Sequence, residues 1–132
     1  MKSVLLVNDD NNPMLASGVR LESMGYVVYT AKDAVGAMSA ARDNHPDVVV
    51  LDISLPTASG FVVAESLQRL LNSAATPIIF ITASENPGLH ERASKAGGIA
   101  FLKRPFDATQ LAYAIETALS PGDNWVPATQ RA

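Results

Sequence analysis

Three carboxylates stand where apolar runs end. Val4-Leu5-Leu6-Val7 runs into Asn8-Asp9-Asp10, and Val48-Val49-Val50-Leu51 runs into Asp52 before the chain turns at Pro56. Thr82 closes another such run, Pro77-Ile78-Ile79-Phe80-Ile81, and Lys103-Arg104 follows Ala100-Phe101-Leu102. Carboxylates that meet repel one another, and their pKa values rise unless a cation compensates. These loops hold no cysteine or histidine, so their ligands are all oxygen. Such a donor set favours a hard cation, Mg²⁺ before any transition metal, because Mg²⁺ commonly takes one or two carboxylates, several waters and a phosphate oxygen. The Thr82 hydroxyl is placed to donate to an oxyanion near Asp52. Lys103 or Arg104 would supply the positive charge that a phosphoryl group needs. Adjacent strand residues point to opposite faces, so one of the two is expected to face the site.

The elements that must position these groups follow from the pattern between them. Continuous apolar runs of this length suit strands buried on both faces of a parallel sheet. Asn12-Pro13 reads as a helix start, with Leu15, Val19 and Met24 on one face and Gly25 as the stop. A strand over 27–30 and an alanine-rich helix over 34–44 precede the run into Asp52. A helix over 60–71 follows, with Phe61, Ala64, Leu67 and Leu71 as its buried stripe. After the Pro77–Thr82 strand comes a short polar helix over 87–96, then a strand over 100–102. Asp107 caps the last helix and Gln110 completes a capping box, with Leu111, Ile115 and Leu119 repeating on one face.

Strand and helix thus alternate five times. That order predicts an α/β fold, a doubly wound five-stranded parallel sheet with right-handed crossovers and helices on both faces. In the strand order 2-1-3-4-5, strands one and three are neighbours and the switch point lies between them, so Asp9, Asp10 and Asp52 converge. Residues 1–119 form a single domain, and 120–132, aperiodic and holding Pro, Gly and Asn, read as a C-terminal tail or linker.

Composition narrows the function. The 132 residues carry a formal net charge of -3 and no cysteine. The acidic balance argues against a nucleic-acid surface. Absent cysteines exclude disulfides, thiolate metal sites and cysteine nucleophiles, and suit a reducing compartment. The Val4–Val7 run is too short for a signal peptide core or a membrane span, so a cytoplasmic protein is expected.

At this point the residues form a pattern. Asp9-Asp10, Leu51-Asp52-Ile53-Ser54-Leu55-Pro56, Gly60, Thr82-Ala83, Ala96-Gly97-Gly98 and Arg104-Pro105-Phe106 occur in order. On them, over residues 3–119, the chain resembles the receiver (CheY-like) domain of bacterial two-component response regulators. The resemblance implies a flavodoxin-like fold with Asp52 as phosphoacceptor. It implies that Asp10, Asp52 and the Ser54 backbone carbonyl bind Mg²⁺ directly and that Asp9 acts through water. Thr82 would bond the phosphoryl oxygens, Arg104 would supply the cation, and Phe101 would occupy the aromatic switch position. Implied partners are a sensor histidine kinase or phosphotransfer protein and a downstream effector. The implied assembly is a monomer or a weak dimer through helix four, strand five and helix five. Phosphotransfer to Asp52 would be self-catalysed, with slow dephosphorylation and no other enzyme activity.

The chain also departs from the family. Arg104 replaces its lysine, Asn8 stands where an apolar or acidic residue is usual, and Ser59 replaces the aspartate that commonly precedes the glycine. Two other readings follow. One is a degenerate receiver used as a phosphorylation-independent binding module. The other is a phosphohydrolase working through an aspartyl-phosphate, which Ser54 opposes by standing where such enzymes carry a second aspartate. His45 beside Pro46 and His90 on the polar helix lack the context of a phosphodonor, and Trp125 falls in the tail.

Overall fold

The computed structural model describes residues 2–9, 11–53, 55, 59–70, 76–82, 88–95, 98–103, 106–119 and 126–127. In chain order the elements are β1 (Ser3–Val7), α1 (Asn11–Ser23), β2 (Val27–Ala31), α2 (Ala34–Asn44), β3 (Val48–Asp52), α3 (Gly60–Leu70), β4 (Ile78–Thr82), α4 (Gly88–Lys95), β5 (Gly98–Lys103), α5 (Ala108–Leu119) and β6 (Val126–Pro127). The first five strands are parallel in the expected order β2-β1-β3-β4-β5. Within the segment expected as a tail, β6 adds a sixth strand on the open edge of β5, pairing Ala100 with Val126 and Phe101 with Pro127. A proline is tolerated there because an edge strand does not need every N–H for the ladder.

Strand alternation divides the core into two layers. Leu5, Val7, Val49, Leu51, Ile78, Phe80 and Phe101 face α2, α3 and α4, where Ala37, Ala41, Phe61, Ala64, Leu67, Leu89 and Ala93 meet them. Val4, Leu6, Val48, Val50, Ile79, Ile81 and Leu102 face the other way, onto Leu21 of α1 and Leu111, Ala114 and Ile115 of α5. The Phe61 and Phe80 rings lie 5.2 Å apart at 52°. The Arg92 guanidinium covers the outer side of Phe61, 4.5 Å from its centroid.

The expected α1 stripe needs correction. Val19 is 61% exposed and Met24 is also at the surface, while Leu21 is fully buried. The buried face runs through Gly18 and Leu21 instead. A Cβ on Gly18 would already touch the Val28 and Leu6 side chains at 3.6 and 3.7 Å, so the missing side chain lets α1 lie close to the sheet. The sequence pattern hid this because a buried glycine contributes nothing to a hydrophobic stripe. The side chain of Leu15, and Leu71 as a whole, lie outside the described residues.

Helix ends follow capping rules. Gly25 ends α1 in a left-handed conformation at φ 100°. The Gln110 side chain accepts from the Asp107 N–H while the Asp107 carboxylate accepts from the Gln110 N–H, the reciprocal box expected of α5. His45 closes α2 at φ 45°, its N–H donating to the Ala41 carbonyl. Asp33 opens α2, its carboxylate accepting from the Gly36 N–H at 2.7 Å. Asp33→Ala is expected to lower stability by about 1 kcal/mol. Urea denaturation checks this, and an unchanged midpoint would show that the cap is dispensable.

Candidate functional site

The register of β1 on β3 builds the site. Val7 lies opposite Leu51, so the next rung brings Asn8 beside Asp52. The two side chains meet: Asn8 Nδ2 donates to Asp52 Oδ2 at 2.8 Å. Both are buried, with Asp52 only 3% exposed. An ionised carboxylate accepts hydrogen bonds and donates none, so it selects the NH₂ end of the amide. The Asn8 backbone is held from the other side, its N–H donating to the Ala31 carbonyl at 2.9 Å. Asn8 therefore links β2, β1 and β3 at the end of the sheet where the strands finish.

The chain after Asp52 is fixed by a close backbone approach. The Ile53 N–H continues the ladder to the Ile81 carbonyl, and the Ile53 carbonyl accepts from the Gly60 N–H at 2.8 Å. A Cβ on Gly60 would fall 2.5 Å from the Asp52 carbonyl oxygen and 2.7 Å from Ile53 Cα. Only a residue without a side chain fits, which is why α3 can begin directly over the end of β3. The Ser59 Oγ accepts from the Phe61 N–H at 3.2 Å and its carbonyl from the Val63 N–H, so this serine caps α3.

Asp52 stands level with Ile81, which places Thr82 one rung beyond it on β4. Thr82 is 1% exposed, and Lys103, half-buried, is its partner in register on β5. Asp9 follows Asn8 and is exposed. Phe101 is 2% exposed, opposite Phe80 in register and packed in the layer against α3 and α4. Asp10, the Ser54 carbonyl, Arg104, Pro105 and Trp125 lie outside the described residues, as does the side chain of His90.

Asn8 is the residue that sequence reasoning missed as a member of the site. The sequence marks it as a departure from the family without naming its neighbour. The signal lies in the register, because a polar residue closing an apolar strand must find a partner on the adjacent strand end.

The donor chemistry fits a magnesium ion. Among the described residues no three His, Cys, Asp or Glu side chains cluster. Asp9 follows the end of β1 and Asp52 ends the neighbouring β3, and Mg²⁺ is commonly held by one or two carboxylates with water completing its shell.

Comparison with known proteins gives one consistent answer. Residues 4–116 match the response regulator receiver domain family. The chain is 30% identical over 118 residues to the polar-differentiation response regulator DivK of Brucella ovis, covering 89% of this chain and 96% of that protein. It is 34% identical over 106 residues to the transcriptional regulatory protein KdpE of Mycobacterium tuberculosis, covering 80% of this chain and 46% of that longer protein. Among solved structures, the chemotaxis protein CheY4 of Vibrio cholerae superimposes with a TM-score of 0.85 at 26% identity, covering 90% of this chain and 99% of that one. The non-phosphorylated HemR receiver domain of Leptospira biflexa does so with a TM-score of 0.82 at 30% identity, covering 92% and 97%.

Proposed function

This chain belongs to the response regulator receiver domain family, and from that premise we propose that Asp52 accepts a phosphoryl group in a two-component phosphorelay. The observation that carries the reading is a buried carboxylate at the end of β3, level with β4 and one rung from the Thr82 hydroxyl. Receiver domains interact with kinases and effectors. The donor proposed here is a phosphohistidine on a sensor kinase or phosphotransfer protein.

In the transfer, one Asp52 carboxylate oxygen forms a bond to phosphorus in line with the leaving group. The phosphorus–nitrogen bond breaks, and its electron pair returns to the donor imidazole. Thr82 donates to the transferred oxygens, and Arg104 or Lys103 offsets their charge. Asp9, Asp10, Asp52 and the Ser54 carbonyl would hold Mg²⁺, which when bound neutralises charge shared by the phosphoryl group and the acidic residues. The product is an aspartyl-phosphate whose contacts with Thr82 bias the surface formed by α4, β5 and α5. No described helix is long and apolar enough to cross a membrane, and a cytoplasmic location is part of this proposal.

The test uses beryllofluoride, a phosphoryl mimic, with Mg²⁺. Amide NMR of the whole chain is expected to show shifts around residues 52, 82 and 101 that vanish in Asp52→Asn. Absence of any Asp52-dependent shift at saturating beryllofluoride would sink the reading. It would favour a second one, a binding module that works without phosphorylation, toward which one observation already points: the Asn8 amide engages the acceptor carboxylate.

A further inference from the structure

Asn8 has a property that no acidic or apolar residue at this place would share. It gives the buried Asp52 carboxylate a neutral, hydrogen-bonded neighbour on the adjacent strand. An aspartate there would set two carboxylates side by side at a buried strand end. Their repulsion would make the site depend on a cation for its integrity. An apolar residue would leave Asp52 Oδ2 without this donor, at the cost of desolvating a charge. We infer that Asn8 is a positioning residue for Asp52: it helps to fix the carboxylate without a metal, and in exchange lowers the affinity of the site for Mg²⁺.

Three features of the geometry support this. The bond is 2.8 Å long and joins two buried side chains, so water does not replace it readily. The Asn8 backbone is itself pinned to Ala31, so the amide is presented from a fixed strand end rather than from a loop. The contact spans 44 residues of sequence, which makes it a tertiary constraint on β1 and β3 together. The amide brings no charge, whereas a carboxylate beside Asp52 would add one negative charge within a few ångströms of any bound cation.

This inference deepens the phosphoacceptor reading, yet its test does not require phosphoryl transfer. Thermal melts and Mg²⁺ titrations followed by amide NMR are recorded on the whole chain as wild type, Asn8→Asp, Asn8→Ala, Asp52→Asn and the double variant Asn8→Asp with Asp52→Asn. In Mg²⁺-free buffer, Asn8→Asp is expected to lower Tm by about 4 °C. Millimolar Mg²⁺ restores most of that loss, and Asn8→Asp binds Mg²⁺ about tenfold more tightly than wild type, as one added charge near a cation allows. Asn8→Ala also lowers Tm but gains no Mg²⁺ affinity, because it removes the donor without adding charge. In the Asp52→Asn background, Asn8→Asp costs little stability, since the repulsion has lost one partner.

Unchanged Mg²⁺ affinity in Asn8→Asp would overturn the inference. So would equal destabilisation by Asn8→Asp in the wild-type and Asp52→Asn backgrounds, which would make Asn8 a packing residue. Beryllofluoride distinguishes the two levels of the argument. Coupling between positions 8 and 52 without an Asp52-dependent beryllofluoride shift would leave Asn8 as positioning residue and remove the phosphoacceptor role. The opposite pattern would do the reverse.

Discussion

Gly60→Ala is expected to destabilise the protein by about 2–3 kcal/mol, the cost of overpacking where the neighbours cannot yield. The reason is room, not dihedral angle. Among the described residues the glycine with positive φ is Gly25, and Gly60 is not in that class. The atoms an alanine methyl would meet are backbone: the Asp52 carbonyl oxygen at 2.5 Å and Ile53 Cα at 2.7 Å. Backbone held in a sheet ladder cannot rotate away as a flexible side chain would. Relief must come from lifting the first turn of α3 or from displacing the end of β3. Lifting the turn breaks the hydrogen bond from the Gly60 N–H to the Ile53 carbonyl. Displacing the strand moves Asp52 relative to Asn8 and Thr82. Two readouts therefore change together: the urea midpoint falls, and the beryllofluoride response of Asp52 weakens even where the protein is folded. Wild-type stability in Gly60→Ala would show that the loop between β3 and α3 is looser than this approach implies. Gly18→Ala provides the contrast, because its methyl would meet only side-chain atoms, at 3.6 and 3.7 Å.

Phe101→Ala is expected to cost about 3–5 kcal/mol, as for other large aromatic side chains removed from a core. The family resemblance casts Phe101 as an aromatic switch that turns inward when Asp52 is phosphorylated. In this structure the ring is already inside, 2% exposed, among Phe80, Leu89 and Ala93. Its strand is also flanked on the open edge by β6, where Pro127 is the partner of Phe101 in register. Turning the ring outward would forfeit roughly 1.5–3 kcal/mol of burial. Any ligand that drives such a motion must supply that difference through unequal affinity for the two arrangements. Urea denaturation of Phe101→Ala and Phe101→Leu checks the assignment. A loss below about 1 kcal/mol for alanine would place the ring at the surface, since surface substitutions rarely exceed about 0.5 kcal/mol. A large loss for alanine with a small one for leucine fits a residue held by volume and apolar contact.

Much of the fold was legible because it rests on local and periodic signals. Runs such as Val48–Leu51 can hardly be anything but strands buried on both faces, and alternation with helical segments leaves parallel topology as the simple solution. The predicted span of α2 matches the observed Ala34–Asn44, and the Asp107–Gln110 box forms as its spacing required. The Val19 and Met24 assignment failed for a physical reason. Packing α1 against the sheet was solved with the absence of a side chain at Gly18, and periodicity counts only the side chains that exist. The short strand at Val126–Pro127 was illegible because its pairing is set by the edge it meets, not by its own sequence.

The same division applies to the site. Sequence alone determined that Asp52 ends a buried strand, that Thr82 ends a neighbouring one, and that Asp9 follows shortly after the end of another. These follow from strand order, because parallel strands deliver their C-terminal ends to one edge. Tertiary structure decided which side chain touches Asp52. Register is set by how two apolar strands pack across the sheet, and a shift of one residue would have sent a different group to Asp52. It selected Asn8 rather than a carboxylate. It also put Phe101 inside, because inward-facing positions on β4 and β5 had to be filled from both strands at once.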